Sequence, residues 1–195
     1  MWSTQMKNRT STLTVYYLPS SIWLYRRGNL RDLLGPKTSY DLWHVDQTFT
    51  PNVPSTTFFW ILELPQNGGG DTAFTSLTAA YRALSPAFRN ILHGLNLQHS
   101  SASVGEVSRL GQERATKEAI STSHPLVISH PVTKEPVLFV NPAIARNVEG
   151  FLPSESEHLL KFLHDHIRSL DFSCRLRWEK GTVVIWDQVF SSPCL

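Results

Sequence analysis

Short apolar runs, each ended by turn-forming residues, dominate the chain after residue 38. Residues 40–49 and 56–64 are rich in aromatic and β-branched side chains, which favours strands. The run 56–64 is apolar enough to predict burial on both of its faces. Two further segments each predict a pair of strands around a turn: 124–142 with its turn at 133–135, and 172–187 with its turn at 179–181.

Helical patterns occupy fewer places than strand patterns. Ser76 is a predicted N-cap for one short helix, and Ser85 is the N-cap of a second helix that ends at Gly94. A third helix is predicted after a capping box formed by Ser154 and Glu157. Its apolar residues recur at helical spacing: Leu159, Leu160, Leu163, Ile167 and Leu170.

Many short strands with few helices predict one mostly β domain with helical insertions, an all-β barrel or a double-sheet roll. Residues 1–38 show no sustained period, and residues 99–123 predict a long polar surface excursion, partly helical. The loop 65–72 contains three consecutive glycines. A phosphate-binding loop is disfavoured there because the Lys-Ser/Thr ending of that motif is missing.

Charge and composition narrow the class of protein. The formal net charge is +2 and the basic residues are scattered, which argues against a nucleic-acid or membrane-surface partner. No apolar run is long enough to span a bilayer, and the N-terminus does not resemble a signal peptide. Two cysteines form no disulfide framework. We therefore expect a cytoplasmic protein, and nothing indicates its oligomeric state.

An imidazole and a carboxylate stand two residues apart, at His44 and Asp46. On a strand, residues two apart point to the same face, so both side chains can reach one metal ion. The pair alone is weak, because a satisfied histidine beside a surface aspartate gives the same pattern. Non-haem iron enzymes bind their metal through two histidines and one carboxylate, which leaves three positions for cosubstrate and oxygen.

Several motifs in a fixed order extend this pattern over residues 39–188. They are His-x-Asp in "WHVDQ", then "GGDT", then "HPLVISHPVTKEPVLFVNP" and finally "RLRWEKGTVVIWDQ". In combination these motifs resemble the taurine dioxygenase/2,4-dichlorophenoxyacetate dioxygenase family. The amino-acid sequence of the first stretch is most similar to fungal taurine or sulfonate dioxygenases.

The resemblance implies a double-stranded β-helix, here incomplete, and a centre that uses Fe(II) with 2-oxoglutarate and O2 as cosubstrates. His44 and Asp46 match the first two iron ligands. Thr72 matches the threonine that binds a carboxylate of 2-oxoglutarate; the alternative is a loop threonine that caps the following helix. Asn141 and Ile144 match a strand on the substrate side of the cavity, where packing is the more ordinary role.

The pattern also departs from the family. After Trp-Asp, the family continues to a distal iron-binding histidine and an arginine that pairs with 2-oxoglutarate. Here no histidine follows His166 and no arginine follows Arg177. We expect residues 39–188 to form the family domain, with 1–38 unassigned and 189–195 a tail unrelated to the family.

Three functions remain open from the sequence. The first is a dioxygenase that hydroxylates an alkylsulfonate such as taurine and releases sulfite; a small carboxylate is the other anionic substrate considered. The second is a catalytically inactive relative that lacks the distal ligand and acts as an interaction module or is an unstable fragment. The third, a binding protein without redox chemistry, is disfavoured because "GGDT" belongs to the dioxygenase pattern.

Overall fold

The computed structural model describes most of the chain after residue 42. Three parts discussed from the sequence lie largely or wholly outside the described residues. They are the unassigned segment 1–38, the glycine-rich loop and the middle of the surface excursion. The described residues are 7–8, 11–12, 43–61, 64, 70–102, 119–189 and 191–194.

The described residues are mostly β structure with few helices, as the sequence predicts. All paired strands run antiparallel. The strands are β1 (Lys7–Asn8), β2 (Ser11–Thr12), β3 (Thr56–Trp60), β4 (Thr72–Ser76), β5 (Asn96–Ser100), β6 (Ser121–Pro125), β7 (Val127–Ser129), β8 (Pro136–Leu138), β9 (Ala145–Val148), β10 (Ser173–Leu176), β11 (Val183–Asp187) and β12 (Ser191–Cys194). They form sheets with the strand orders β10-β4-β12, β11-β3, β6-β5-β9, β7-β8 and β1-β2.

Two short helices begin where the sequence predicts. Helix α1 (Leu77–Ala83) follows Ser76, whose hydroxyl accepts a hydrogen bond from the Ala79 N–H at 3.2 Å. Helix α2 (Pro86–Leu92) follows Ser85, whose hydroxyl accepts from the Phe88 N–H at 3.2 Å. Each hydroxyl satisfies an amide that has no partner inside its helix.

The third helix, α3 (Pro153–Ile167), starts differently from the prediction. Its cap is Leu152, whose N–H donates to the Glu155 carboxylate at 2.8 Å, so the predicted box of Ser154 and Glu157 is wrong. Proline suits the first helical position because its fixed φ is already helical. The helix ends at Ile167, which leaves Leu170 89% exposed and outside the buried stripe.

One predicted hairpin forms and the other does not. Strands β7 and β8 pair across a turn in which Lys134 has a φ of +60°, as the segment 124–142 predicts. Strand β10 instead pairs with β4, and β11 pairs with β3, so the predicted hairpin over 172–187 is wrong. A strand pattern indicates extended structure but does not identify the partner strand.

The segment that contains the His-x-Asp motif is not a strand in its described part. Residues 46–49 form turns, and Gln47 has a φ of +54°, so the strand predicted over 40–49 is wrong there. Strand β3 is shorter than predicted, and Trp60 at its end is 45% exposed. The predicted burial of both faces of this strand is therefore also wrong.

Two apolar cores support this arrangement. The larger core joins the helices to strands β5, β7, β8 and β9, with Leu77, Leu97 and Leu163 fully buried in it. The smaller core lies where the sheet β10-β4-β12 meets the pair β11-β3, and it contains Phe74, Trp178, Val184 and Trp186. The candidate site is built at the edge of this smaller core.

Candidate metal and cosubstrate site

His44 and Asp46 lie side by side at the start of a turn. The distance from His44 Nε2 to Asp46 Oδ1 is 3.5 Å, and their side chains are 25% and 36% exposed. Residues 43–45 are not in a regular strand, and Asp46 begins the turn over 46–49, in which Gln47 has a positive φ. Both donors are accessible at one point, which is the arrangement that a divalent metal needs.

The other oxygen of the Asp46 carboxylate is held by two donors. Oδ2 accepts from the Thr57 hydroxyl at 2.9 Å and from the Gln188 side-chain amide at 2.5 Å. The Gln188 carbonyl oxygen in turn accepts from the Asp46 N–H at 3.2 Å. These bonds fix the carboxylate with Oδ2 committed to the protein and Oδ1 next to the imidazole.

Gln188 is the residue of this site that sequence reasoning missed. It is fully buried, and its backbone N–H donates to the Ser55 carbonyl at 3.0 Å. It follows directly on the Trp-Asp dipeptide at the end of β11. The sequence did contain a signal for Gln188: a single amide side chain directly after an apolar strand. An amide that is buried at such a position needs polar partners.

Strand β12 borders the same segment on the side of its backbone. The His44 N–H donates to the Pro193 carbonyl at 3.1 Å, and the Ser192 hydroxyl donates to the His44 carbonyl at 2.9 Å. The same strand pairs with β4, opposite Thr75 at Ser192 and opposite Phe74 at Pro193. Residues expected only to form a tail therefore form a strand between β4 and the His-x-Asp segment.

Thr72 begins strand β4 and is fully buried. Its hydroxyl accepts a hydrogen bond from Trp178 Nε1 at 2.8 Å. Because a hydroxyl both accepts and donates, its own proton remains to be donated. Ser76, not Thr72, caps the following helix, so the alternative role considered from the sequence does not hold.

Asn141 braces the His-x-Asp segment from the opposite side. Its side-chain amide donates to the Val45 carbonyl at 2.6 Å and to the Thr48 hydroxyl at 2.8 Å. Ile144 is buried, and its N–H donates to the Asn141 carbonyl at 3.2 Å. A role of Asn141 and Ile144 on the substrate side stays a prediction.

A buried histidine continues this network. His99 Nδ1 lies 2.7 Å from the Thr48 hydroxyl, which also accepts from the Asn141 amide. Nε2 of the same imidazole is a buried atom without a hydrogen-bond partner among the described residues. Burial, followed by the nearby His124 and Arg146, lowers the pKa of His99 to about 3.

The remaining histidines serve the scaffold rather than the site. His130 Nδ1 accepts from two amides of its own turn, and Nε2 lies 2.9 Å from Asp187 Oδ2, which ties the β7–β8 turn to β11. His166 Nε2 lies 2.8 Å from the Ala80 carbonyl, which ties α3 to α1. Burial lowers the pKa of His164, also on α3, to about 4.

The ligand set is incomplete within the described part of the chain. No group of three or more His, Cys, Asp or Glu side chains there is placed to hold a metal ion. His44 and Asp46 supply one nitrogen and one oxygen, whereas the facial site of non-haem iron has three protein donors. The described residues therefore supply two of the three protein donors of such an iron site and do not complete it.

A family model decides the relationship. The model described as "Taurine catabolism dioxygenase TauD, TfdA family" matches residues 20–189. The chain belongs to this family. The match includes the His-x-Asp segment, Thr72, Asn141 and Gln188, so the site described above lies inside the family region. Whether the domain starts at residue 39 and whether 189–195 lie outside it remain predictions.

Named relatives of this TauD/TfdA family member are similar over about three quarters of its length. An "Alpha-ketoglutarate-dependent dioxygenase cnsP" of Penicillium expansum is 44% identical over 149 residues, 75% of this chain and 40% of that protein. An "Alpha-ketoglutarate-dependent sulfonate dioxygenase" of Saccharomyces cerevisiae is 38% identical over 151 residues, 77% of this chain and 36% of that protein. The chain thus matches well under half of the length of these curated relatives.

Solved structures give the same relationship. A taurine dioxygenase from Burkholderia xenovorans superimposes with a TM-score of 0.69 at 32% identity, covering 81% of this chain and 52% of that one. The structure of AAD-2 in complex with Mn(II) and N-oxalylglycine superimposes with a TM-score of 0.69 at 26% identity, covering 80% and 62%. Within the described residues, no helix is both long and apolar enough to cross a bilayer.

Proposed function

We propose that this chain carries the metal and 2-oxoglutarate side of a dioxygenase site that oxidises a small organic anion. The observation that carries the proposal is the fixed His44–Asp46 pair, with Asp46 Oδ2 committed to Gln188 and Thr57 and Oδ1 turned to the imidazole. Such a pair offers two protein donors to Fe(II). Bound Fe(II), together with 2-oxoglutarate and O2, would supply the oxidation.

The residues around the pair would position these groups. Thr72, buried on β4, would donate its remaining hydroxyl proton to a carboxylate of 2-oxoglutarate. Asn141 would keep the His-x-Asp turn in place through Val45 and Thr48. The likeness to AAD-2 with Mn(II) and N-oxalylglycine supports this assignment, because that compound has the two carboxylates of 2-oxoglutarate. We accordingly propose that the mostly β fold is an incomplete jelly roll.

An alkylsulfonate such as taurine is the proposed substrate, with oxidation at the carbon that bears sulfur and release of sulfite. The names of the yeast and bacterial relatives support this class. The alternative substrate is a small carboxylate, since the family model also takes its name from the TfdA branch. The protein would work in the cytoplasm without a nucleic-acid or membrane partner.

The alternative weighed from the sequence is a catalytically inactive relative, which the family comparisons do not favour. The described residues hold two metal donors where three are expected. Loss of a donor lowers metal affinity, and even altered partners of a ligand cost about 10–100-fold. Under this candidate the folded chain would bind neither Fe(II) nor 2-oxoglutarate at His44 and Asp46.

Anaerobic titration of the purified chain with Fe(II) and 2-oxoglutarate separates the two candidates. The dioxygenase site predicts a saturable visible charge-transfer band that is absent in His44→Ala and Asp46→Asn. Thr72→Val should weaken 2-oxoglutarate binding, while Thr72→Ser and the exposed control His158→Ala should not. A folded chain that gives no band at any iron concentration would support the inactive relative.

A further inference from the structure

The strand beside the His44 backbone occupies the place from which a third donor could come. In β12, the Pro193 carbonyl accepts from the His44 N–H at 3.1 Å. The Ser192 hydroxyl bonds the carbonyl of the same histidine at 2.9 Å. Strand β12 makes backbone contact with the first ligand of the pair, so its side chains are candidates for completing the site.

Cross-strand contacts show which face of β12 meets the pair. Side chains directly opposite each other in an antiparallel ladder lie on the same face, and Pro193 is opposite Phe74. The Phe74 ring lies 5.3 Å from the Trp186 ring. Trp186 is opposite Thr57, whose hydroxyl donates to Asp46 Oδ2 at 2.9 Å. Pro193 therefore faces the same interior as the Asp46 carboxylate.

The backbone at this position does not require proline. A residue in a strand directs its N–H and C=O to the same neighbour, and the Pro193 carbonyl is directed to His44. The hydrogen bonds between β12 and β4 are therefore unaffected by the proline. The N–H that Pro193 lacks would have pointed to the His44 segment. The Ser192 hydroxyl takes the place of that donor at the His44 carbonyl. A residue with an N–H would fit here and add a hydrogen bond.

We propose that Pro193 stands at the third protein-ligand position of the His44–Asp46 centre. Its ring has no donor atom, so among the described residues a metal would be held through two side chains and bound weakly. The inference rests on the proposed function, because it takes the pair to be a metal site. It adds the position that limits affinity and the substitution that completes the donor set.

Mn(II) alone is the probe, and the readout is the loss of the free Mn(II) electron paramagnetic resonance signal on titration of the intact chain. Pro193→His should bind Mn(II) at least about tenfold more tightly than the unaltered chain, since even the partners of ligands are worth about 10–100-fold. Pro193→Ala supplies the N–H without a donor side chain and should leave the affinity unchanged. The gain should vanish when Pro193→His is combined with His44→Ala.

Circular dichroism shows which variants keep the fold. If Pro193→His does not fold, Pro193→Asp carries the test, because its smaller carboxylate should raise the affinity in the same direction. A folded Pro193→His chain without a gain overturns the inference. In that case, a loss of the unaltered chain's binding in His44→Ala would still support the pair as a metal site. Binding indifferent to His44 and Asp46 would overturn the proposed function as well.

Discussion

At the scale of single residues, the site depends on how a carboxylate is oriented. Asp46 has one oxygen engaged by Thr57 and Gln188, while the other lies 3.5 Å from His44 Nε2. A carboxylate with both oxygens free would rotate about its last bond and present either one. Gln188, 142 residues away along the chain, removes that freedom by bonding both the carboxylate and the backbone amide.

We predict that Gln188→Ala weakens Mn(II) binding about 10–100-fold, the usual cost of losing a partner of a metal ligand. The conservative Gln188→Asn should keep part of the affinity, because its amide retains the donor and acceptor. Gln98→Ala is the matched control, since Gln98 lies on β5 and shares none of the described bonds around Asp46. Equal affinities in a folded Gln188→Ala chain would contradict the positioning role of this amide.

At the scale of elements, a buried polar network connects the ends of β5 and β8 to the His-x-Asp turn. Asn141 bonds Val45 and Thr48, and Thr48 bonds His99. His99 also stacks on Phe139, with ring centroids 5.7 Å apart, and so is packed on an apolar surface. Such a site favours the neutral imidazole, because burial penalises the charged form.

The pH dependence of stability follows from this burial. The pKa of His99 is about 3 in the folded chain against about 6.5 when unfolded, so the unfolded chain binds the additional proton between these values. The free energy of unfolding should therefore fall as the pH drops below about 6.5 towards 3. His164, with a pKa of about 4, contributes in the same direction.

Urea denaturation from about pH 7 to about pH 5 measures this effect, with a slope that approaches about 1.4 kcal/mol per pH unit for each such histidine as the pH nears about 5. His99→Gln should reduce the slope by about one such contribution, whatever it does to stability at neutral pH. The exposed His158→Gln is the control and should leave the slope as it was. An unchanged slope in His99→Gln would mean that the imidazole titrates normally in the folded chain.

At the scale of the whole molecule, the site is assembled from segments far apart in sequence. The segment 43–49 contacts β12 through the backbone of His44, β3 through Thr57, and Gln188 directly after β11. Strand β12 closes one edge of β4, whose other neighbour among the described strands is β10. An open strand edge is a template for association with other chains.

Removal of residues 191–195 should therefore have two effects. Hydrogen exchange should become faster at the amides of β4 and at His44, because their partners in β12 are lost. The shortened chain should also associate, which size-exclusion chromatography with light scattering detects. Removal of Leu195 alone, which leaves β12 intact, is the control. Unchanged protection of β4 would show that β12 does not close this edge in solution.

The sequence by itself determined the local features that depend on near neighbours. The caps at Ser76 and Ser85, the β7–β8 turn and the mostly β character all follow from residues within a few positions of each other. The family followed from motifs in a fixed order. The proximity of the His44 and Asp46 side chains also followed, although the non-strand backbone at these residues did not.

Only the tertiary structure decided the features that need partners distant in the chain. The pairing of β10 with β4 and of β11 with β3, the bonds from Gln188 to Asp46 and the place of Pro193 beside His44 belong to this group. A strand pattern is compatible with many neighbouring strands, and the sequence around a single polar residue does not indicate its hydrogen-bond partner. Burial selects among them, because antiparallel ladders and buried polar groups are stable only where every donor finds an acceptor.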